Sequence, residues 1–89
     1  MARVVFGSYL KKYVEAPSQD VTAETVRGAL DGIFDRYPGI RHYILDDQGH
    51  VRHHVQIFVD GKLIADRDQL SDAVDDASEV SILQALSGG

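Results

Sequence analysis

Residues 54–61 read HVQIFVDG and carry the clearest structural signal in the chain. Branched apolar residues fill alternate positions before the turn, and side chains along a β-strand alternate between its two faces. The run therefore predicts a strand over 54–59 with one face turned toward a core. Asp60-Gly61 follows it, and both residue types tolerate the positive φ of a two-residue type I′ turn. We therefore expect a hairpin with a short return strand over 62–64.

Outward from this hairpin, three further stretches favour strands. Residue types that are common in strands, such as Val, Ile, Tyr and Phe, are frequent over 3–10, 13–21 and 79–86. Pro17 confines the second of these stretches to a sheet edge, because proline cannot donate a hydrogen bond to a neighbouring strand. The last strand leads directly into the final residues of the chain.

One helix is predicted between the second strand and the hairpin. The apolar residues that follow the helical period are Val26, Leu30, Ile33, Phe34 and Tyr37. Thr22 is the expected N-cap, and Glu24 then falls in the first turn, where the helix dipole favours a carboxylate. Pro38-Gly39 is expected to end the helix.

Two connecting segments have weaker signals. The composition of residues 46–49, DDQG, is typical of a turn. Residues 66–76 are expected to hold at most a short helical turn, in which Leu70 and Val74 form an apolar pair four residues apart. Neither segment predicts another long element.

The order of elements favours an α+β fold with two layers, because a single helix can cover one face of a mixed sheet. It is compatible with the ubiquitin-like β-grasp, a sheet of four to five strands packed on one main helix. In that fold the first and last strands lie side by side in the middle of the sheet. We therefore expect one β-grasp domain over 1–86, followed by a flexible diglycine tail over 87–89.

Composition excludes several classes of protein. A chain of 89 residues suits one domain, and 44% hydrophobic with 26% charged residues is typical of a globular protein. A formal charge of -5 disfavours binding to nucleic acid. There is no signal-peptide pattern and no run of about 18 apolar residues, so neither secretion nor a membrane location is expected. The absence of cysteine fits a cytoplasmic protein.

The final residues Ser87-Gly88-Gly89 suggest that the α-carboxylate is the functional group. Glycine has no side chain and reaches positive φ freely, so Gly89 could enter a narrow enzyme tunnel that a Cβ would block. The alternative is a frayed end, since chain termini are often rich in glycine.

With this element order, residues 55–61 and the terminal stretch 80–89 make the chain resemble the MoaD/ThiS family of ubiquitin-like sulfur carrier proteins over nearly its whole length. The long segment 38–54 is similar to the carriers that serve cysteine or molybdopterin synthesis. Gln84 departs from the proline often found at that position of the family.

The resemblance implies a sulfur carrier, not an enzyme, with no catalytic residue of its own. An ATP-dependent activating enzyme, MoeB/ThiF-like, would adenylate the Gly89 carboxylate, and a sulfur donor would convert it to a thiocarboxylate. A sulfur-accepting biosynthetic enzyme would then use it to make cysteine, molybdopterin or a related metabolite. ATP would be used by the partner, and no cofactor would be bound by the chain itself.

Three alternatives stay open beside sulfur carriage. The chain could be the small subunit of a molybdopterin-synthase-like complex, or a ubiquitin-like protein modifier joined to lysines through Gly89. It could also be a binding module whose tail has no function.

A carrier needs a docking surface, and Phe58 and Leu83 are the predicted partner-binding residues. If the alternating residues of both strands face the helix, these two lie on the open face of the sheet, close to the tail. The alternative is that they cover a second small core under residues 40–53. The acidic residues Asp72, Asp75, Asp76 and Glu79 form either a rim for a basic partner or a solvated face.

Histidines cluster in one segment, since His42, His50, His53 and His54 are all four of the chain. Asp46 and Asp47 lie between them and add possible oxygen ligands. Adjacent positions of a strand point to opposite faces, so His53 and His54 cannot both bind one ion without a bulge. We therefore predict a solvated or partner-facing segment and no metal site. No hydrolase elbow and no glycine-rich phosphate loop is present in the sequence.

Overall fold

The computed structural model describes residues 1–7 and 18–84. Its strands are β1 Ala2–Phe6, β2 Gln19–Val21, β3 Val55–Val59, β4 Lys62–Leu63 and β5 Glu79–Gln84. Its helices are α1 Val26–Arg36 and the short α2 Arg41–Ile44, joined by a 3-10 turn Pro38–Ile40. β5 fills the whole described part of the strand predicted over 79–86, whereas β1 begins one residue before the prediction and ends at Phe6, and β2 covers only Gln19–Val21 of the stretch predicted over 13–21. Residues 8–17 and 85–86 of these predictions lie outside the described part.

The sheet has the order β2-β1-β5-β3-β4. β1 and β5 are parallel neighbours in its middle, with Arg3 opposite Glu79 and Phe6 opposite Ile82. All other neighbouring strands are antiparallel. The parallel pair requires a crossover connection, which α1 supplies on one side of the sheet. This is the β-grasp arrangement that the sequence predicts.

The core lies between α1 and the inner face of the sheet. The helix buries Val26, Ala29, Leu30, Ile33 and Phe34. The sheet contributes fully buried residues from three strands, Val4, Val55, Ile57, Val80 and Ile82. Burial of each such aliphatic side chain contributes about 1.5–3 kcal/mol. Gly32 lets the helix approach β2 closely, because a Cβ there would lie 3.3 Å from Cγ1 of Val21.

The start of the helix differs from the prediction. Thr25, not Thr22, is the N-cap, and its hydroxyl accepts a hydrogen bond from the Gly28 N–H at 3.1 Å. Glu24 consequently precedes the helix. The reason is tertiary, since the next two N–H groups, of Val26 and Arg27, donate to carbonyls of the segment 70–72 at 3.0 and 2.9 Å. These contacts hold the chain extended as far as Thr25.

The turns follow the sequence closely. Asp60 and Gly61 have φ of 52° and 84°, as the type I′ prediction requires, although β4 ends at Leu63. The turn over 46–49 is closed by the Gly49 N–H, which donates to the Asp46 carbonyl at 3.0 Å.

The segment before β5 contains one helical turn, closed by the Leu70 N–H on the Asp66 carbonyl at 3.1 Å. Leu70 then leaves this turn with φ of 58°, so Leu70 and Val74 are not a helical pair. Both are nevertheless buried, at 1% and 7% exposure. The Asp66 carboxylate organises the turn by accepting hydrogen bonds from three backbone N–H groups, those of Asp68, Gln69 and Ser71.

Candidate functional site at the end of the terminal strand

The predicted reactive group and its tail, Ser87, Gly88 and Gly89, lie outside the described residues. The structure does place Gln84, five residues before Gly89, at the end of the central strand β5. Five residues span at most about 17 Å of extended chain. A protein that binds the last residues of this chain would therefore contact the surfaces around Gln84.

Phe58 and Leu83 both lie on the face of the sheet opposite α1. Val80 and Ile82 are fully buried against the helix side, so alternation turns Leu83 outward, where it is 37% exposed. Phe58 alternates in the same way with buried Ile57 and is half-buried. In the register of β3 and β5, Phe58 is opposite Ser81 and Leu83 is opposite Gln56, which makes the two apolar side chains diagonal neighbours.

Two further apolar residues extend this surface. Leu63 is opposite Phe58 in the β3–β4 hairpin and is 53% exposed. Val5 is opposite Ser81 in the β1–β5 pair and is half-buried. We call the four residues Val5, Phe58, Leu63 and Leu83 the open-face patch. It crosses four strands and ends beside the point where the chain leaves β5.

Leu63 was missed in the sequence, although a signal for it was present. Once Asp60-Gly61 is a two-residue turn, pairing outward from it puts Lys62 opposite Val59 and Leu63 opposite Phe58. Val5 had no such local signal, because its place depends on the register of two strands at opposite ends of the chain.

Gly7 shapes the edge of the open-face patch. A Cβ on Gly7 would lie 2.7 Å from Cδ2 of Leu83, so the Leu83 side chain occupies the space that any larger residue at position 7 would need. The Gly7 N–H also donates to the Ile82 carbonyl at 2.8 Å, which fixes the backbone on both sides of this contact. The Leu83 side chain therefore packs against the backbone of Gly7.

The segment 40–53 does not form a second core over Phe58 and Leu83. Its apolar residues, Ile40, Ile44, Leu45 and Val51, are buried in the main cluster with Ile57 and Ile82. Because Ile57 and Ile82 face away from the open-face patch, this segment packs on the helix side of the sheet.

The acidic residues proposed as a rim lie toward the other end of β5. Glu79 begins that strand, and Asp76 just before it forms an ion pair with the N-terminal amine at 3.4 Å. Asp72 accepts hydrogen bonds from the N–H groups of Ala65 and Asp66, both at 2.9 Å. Its carboxylate thus holds a loop together.

The histidine segment lines two open cavities beside the start of β3. One, of about 310 Å³, is lined by His42, Tyr43, Arg52, His54 and Gln84. The His53 and His54 rings lie edge to face, with centroids 5.5 Å apart. Within residues 1–7 and 18–84, no three His, Asp or Glu side chains are arranged to hold a metal ion.

Asp46 lies in the second of these cavities, which also includes His50 and Asp68. The pKa of Asp46 is lowered from its usual value, chiefly by the hydrogen bond that its carboxylate accepts from the His50 N–H. A second N–H, that of Gln48, donates to the same oxygen at 2.9 Å. The carboxylate therefore caps its own turn.

Among the described residues, no helix is both long and apolar enough to cross a membrane.

Comparison with solved structures shows the same fold in several proteins. The structure of the BexX/CysO complex from Amycolatopsis orientalis includes a chain that matches with a TM-score of 0.83 and 20% identity, and the match covers 100% of both chains. SAMP1 from Haloferax volcanii matches with a TM-score of 0.79 and 22% identity, over 99% of this chain and 98% of SAMP1.

A more distant match comes from the complex of subunits 1 and 2 of the molybdopterin-converting factor of Helicobacter pylori. Its TM-score is 0.65 and its identity 18%, over 99% of this chain and 97% of the matched one. A search of curated protein sequences gave no match.

Comparison of the sequence with models of protein families identifies the family. The model of the ThiS family matches residues 4–89, which include the last three residues of β1, the whole hairpin, the central strand β5 and the diglycine. Members of this family are small carrier proteins and not catalytic enzymes, and the β-grasp structure described above agrees with that assignment. The chain therefore belongs to the ThiS family and has the fold of ubiquitin-like sulfur carriers and modifiers.

Proposed function

We propose that this protein carries sulfur as a thiocarboxylate on Gly89. The observation that carries the proposal is the family match through residue 89 on a chain whose central strand ends five residues earlier. β5 is hydrogen-bonded to a strand on each side, β1 and β3. The position of Gln84, from which the last five residues extend, is therefore fixed by the sheet. The protein acts as a co-substrate, and its partner enzymes supply the catalysis.

The chemistry has two steps. In the first, the Gly89 carboxylate attacks the α-phosphorus of ATP, which forms an acyl adenylate and releases pyrophosphate. In the second, a sulfur nucleophile from a donor attacks the acyl carbon and AMP leaves, so a C–S bond replaces the C–O bond to phosphate. A carboxylate is a poor electrophile, and adenylation supplies the leaving group that divides one difficult step into two easier ones.

The rest of the molecule serves recognition. We assign the open-face patch to docking. Its exposed apolar side chains would be removed from water when a partner binds, as in the apolar core of a typical interface. Gly88 and Gly89 provide passage into a narrow site.

The partners are an activating enzyme of the MoeB/ThiF type, a sulfur donor and a sulfur-accepting enzyme. Two structures with the same fold, BexX/CysO and the two molybdopterin-converting factor subunits, are themselves protein complexes, which supports a role in binding other proteins.

Intact mass spectrometry tests the proposal. After incubation with ATP, a cognate activating enzyme and sulfide, the mass should rise by about 16 Da, the difference between sulfur and oxygen at the acyl carbon. Gly88→Ala and Gly89→Ala should abolish this gain while leaving the circular dichroism spectrum unchanged. A wild-type protein that is purified from its natural source ending at Gly89 and yet never gains this mass would contradict sulfur carriage.

Protein modification is a second candidate, because small archaeal modifier proteins share the fold at TM-scores of 0.79 and 0.78. In that case Gly89 would be joined to lysine side chains of other proteins. Proteome digests would then contain lysines carrying a remnant of this tail. A molybdopterin-synthase-like subunit would instead co-purify in a stable complex with its larger partner.

A further inference from the structure

The open face of the sheet carries an apolar and a charged surface in adjacent rows. Across its middle, Val5 on β1 and Phe58 on β3 lie on either side of Ser81 on β5. Glu79 precedes Ser81 by two positions on the same strand, so its side chain points to the same face about 7 Å away. The apolar part of the open-face patch therefore borders on a charged group.

Charged residues lie on both sides of Glu79. Arg3 is opposite Glu79 in the β1–β5 pair, and Asp20 is opposite Arg3 in the β1–β2 pair. On the other side, the Asp60 N–H donates to the Glu79 carbonyl, and the Asp60 carboxylate accepts the Glu79 N–H, both at 2.9 Å. We call these four residues, Arg3, Asp20, Asp60 and Glu79, the charged row.

The charged row has an excess of negative charge, since it contains three carboxylates and one guanidinium. The Arg3 Nε lies 3.6 Å from Oδ1 of Asp20, so this guanidinium is paired with the carboxylate on its other side. Among the described residues, the Glu79 carboxylate has no ion-pair partner. Glu79 is also exposed, so its carboxylate is available to a cation from outside the molecule.

Two other cations lie near this end of the sheet, and neither is paired with Glu79. The N-terminal amine forms its ion pair with Asp76, at 3.4 Å. Lys62 is opposite Val59, which packs against the core, so the Lys62 side chain points to the other face of the sheet. The negative charge at Glu79 is therefore not balanced from these positions.

The charged row is well separated from the end of the described chain on β5. The chain leaves the described part after Gly7 and Gln84, whereas Arg3 and Glu79 lie at the starts of the same two strands. From Glu79 to Gln84 the strand spans about 17 Å, which is about twice the screening length at physiological salt. Charges next to Gln84 consequently have little effect on a cation at Glu79.

We propose that the open face docks the activating enzyme through a basic side chain, Arg or Lys, that lies beside an apolar one. The apolar side chain covers Ser81 between Val5 and Phe58, and the cation pairs with Glu79. This inference rests on the proposed function, because it names the chemistry of the partner's surface at the docking site assigned above.

Other occupants of the open face fit its charge less well. The phosphates of a nucleic acid or an anionic membrane would be repelled by the excess of carboxylates in the charged row. A second copy of this chain brings its own net charge of -5 and is repelled in the same way. A partner with an apolar centre and a basic side chain complements both rows.

The two rows should respond differently to salt. A charge at the rim of an interface acts mainly on the rate of association and on its salt dependence. An exposed ion pair is screened as salt is raised, whereas the burial of apolar side chains is not weakened by screening. The contribution of Glu79 can therefore be separated from that of Phe58.

Adenylation of the full-length protein by its cognate activating enzyme, followed as ATP–pyrophosphate exchange, provides the test. Glu79→Gln keeps the size of the side chain and removes its charge. We expect kcat/KM to fall by about two- to fivefold at low salt, through KM and not kcat, as for one exposed ion pair. The difference should shrink as salt is raised. Asp31→Asn removes the same charge from exposed α1, on the other face, and should leave kcat/KM unchanged.

Arg3→Gln should have the opposite effect. It removes the guanidinium of the charged row, so Glu79 and Asp20 attract the partner's cation without competition. We expect kcat/KM to rise by about two- to fivefold at low salt. A purely structural role of the row would instead lower kcat/KM in both Arg3→Gln and Glu79→Gln. Lys62→Gln, which removes a cation from the other face, should match the wild type.

Four results would overturn the inference: an unchanged kcat/KM in Glu79→Gln, an equal loss in Asp31→Asn, a kcat/KM that does not rise in Arg3→Gln, or a wild-type dimer that Phe58→Ser dissociates in sedimentation. The dimer would show that a second copy covers the open face.

The mass gain at Gly89 is measured separately on the same variants. If the wild type gains the mass but Glu79→Gln and Arg3→Gln behave like it in exchange, the docking inference alone is wrong. If the wild type is never adenylated, sulfur carriage is wrong. The affinities of the same variants for the activating enzyme without ATP, measured by isothermal titration calorimetry, then test the docking inference independently, with the same order expected.

Discussion

Thr25 ends the extended chain ahead of α1, and its hydroxyl satisfies one of the four N–H groups that every helix start leaves without an internal partner. Thr25→Ala should lower the free energy of unfolding by about 1 kcal/mol. Thr22→Ala is the matched control, because Thr22 is exposed and precedes the cap by three residues; its effect should stay within about 0.5 kcal/mol. Urea denaturation followed by circular dichroism measures both. An equal loss in the two variants would contradict the assignment of the cap.

Gly7 gives a second test at one position. Gly7→Ala forces a Cβ to within 2.7 Å of the Leu83 methyl Cδ2. Because the end of a flexible side chain can move, we expect a loss of about 1 kcal/mol, the lower end of the range for overpacking. The Leu83 methyl resonances should shift at the same time.

Gly39→Ala is the control for this substitution. A Cβ at Gly39 would meet no atom of the other described residues within 4 Å, apart from its neighbours in the chain, so that variant should keep the wild-type stability. Unchanged Leu83 methyl resonances in Gly7→Ala would show that the Leu83 side chain does not pack against Gly7.

Among the elements, the turn between β4 and β5 is organised by one charged group, the carboxylate of Asp66. The pKa of the Asp66 carboxyl is lowered from 3.8, first by the Ser71 hydroxyl and then by the Gln69 N–H, both of which donate to the ionised form. A lowered pKa in the folded state means that ionised Asp66 stabilises the fold above the unfolded value of 3.8. That stability is lost as the pH falls through the lower folded pKa.

Ser71→Ala should therefore raise the pKa of Asp66 toward 3.8 and reduce the dependence of stability on acid pH. Carboxyl-detected NMR titration measures the pKa directly. Asp46 is the internal control, because its lowered pKa is caused chiefly by the His50 N–H and should not respond to Ser71→Ala. An Asp66 pKa that does not move would show that the Ser71 hydroxyl is not the main cause.

For the molecule as a unit, the end of β5 lies beside the apolar open-face patch. If the open-face patch docks the activating enzyme, Phe58→Ser should lower kcat/KM for adenylation by about tenfold, typical of a truncated aromatic anchor. Leu63→Ser should have a smaller effect in the same direction. Both variants should retain the folded circular dichroism spectrum, because the two side chains lie outside the main core.

Lys62→Gln is the control for the patch, since it changes the neighbouring residue of the same strand, whose side chain points to the opposite face. Its kcat/KM should equal that of the wild type. Equal losses in Lys62→Gln and Phe58→Ser would show that the loss does not report docking on the open face.

Much of the fold can be predicted from local pattern. The alternation in β3, the Asp60-Gly61 turn and the helical spacing of α1 are confirmed, because each depends on neighbours a few residues apart. The exposed partner of Phe58 also follows from the turn, since a two-residue loop leaves one register for the strands beside it. Each of these features is determined by residues that are close together in the sequence.

Other features depend on contacts between distant parts of the chain. The N-cap moved from Thr22 to Thr25 because carbonyls of residues 70–72 accept the first helical N–H groups. Val5 joins the open-face patch because β1 lies parallel to β5, more than 70 positions away in sequence. The cavity of about 310 Å³ forms because α2 and the segment 52–54 meet beside Gln84. Periodicity selects which residues are buried, but long-range pairing sets which exposed residues become neighbours, and no local pattern encodes that choice.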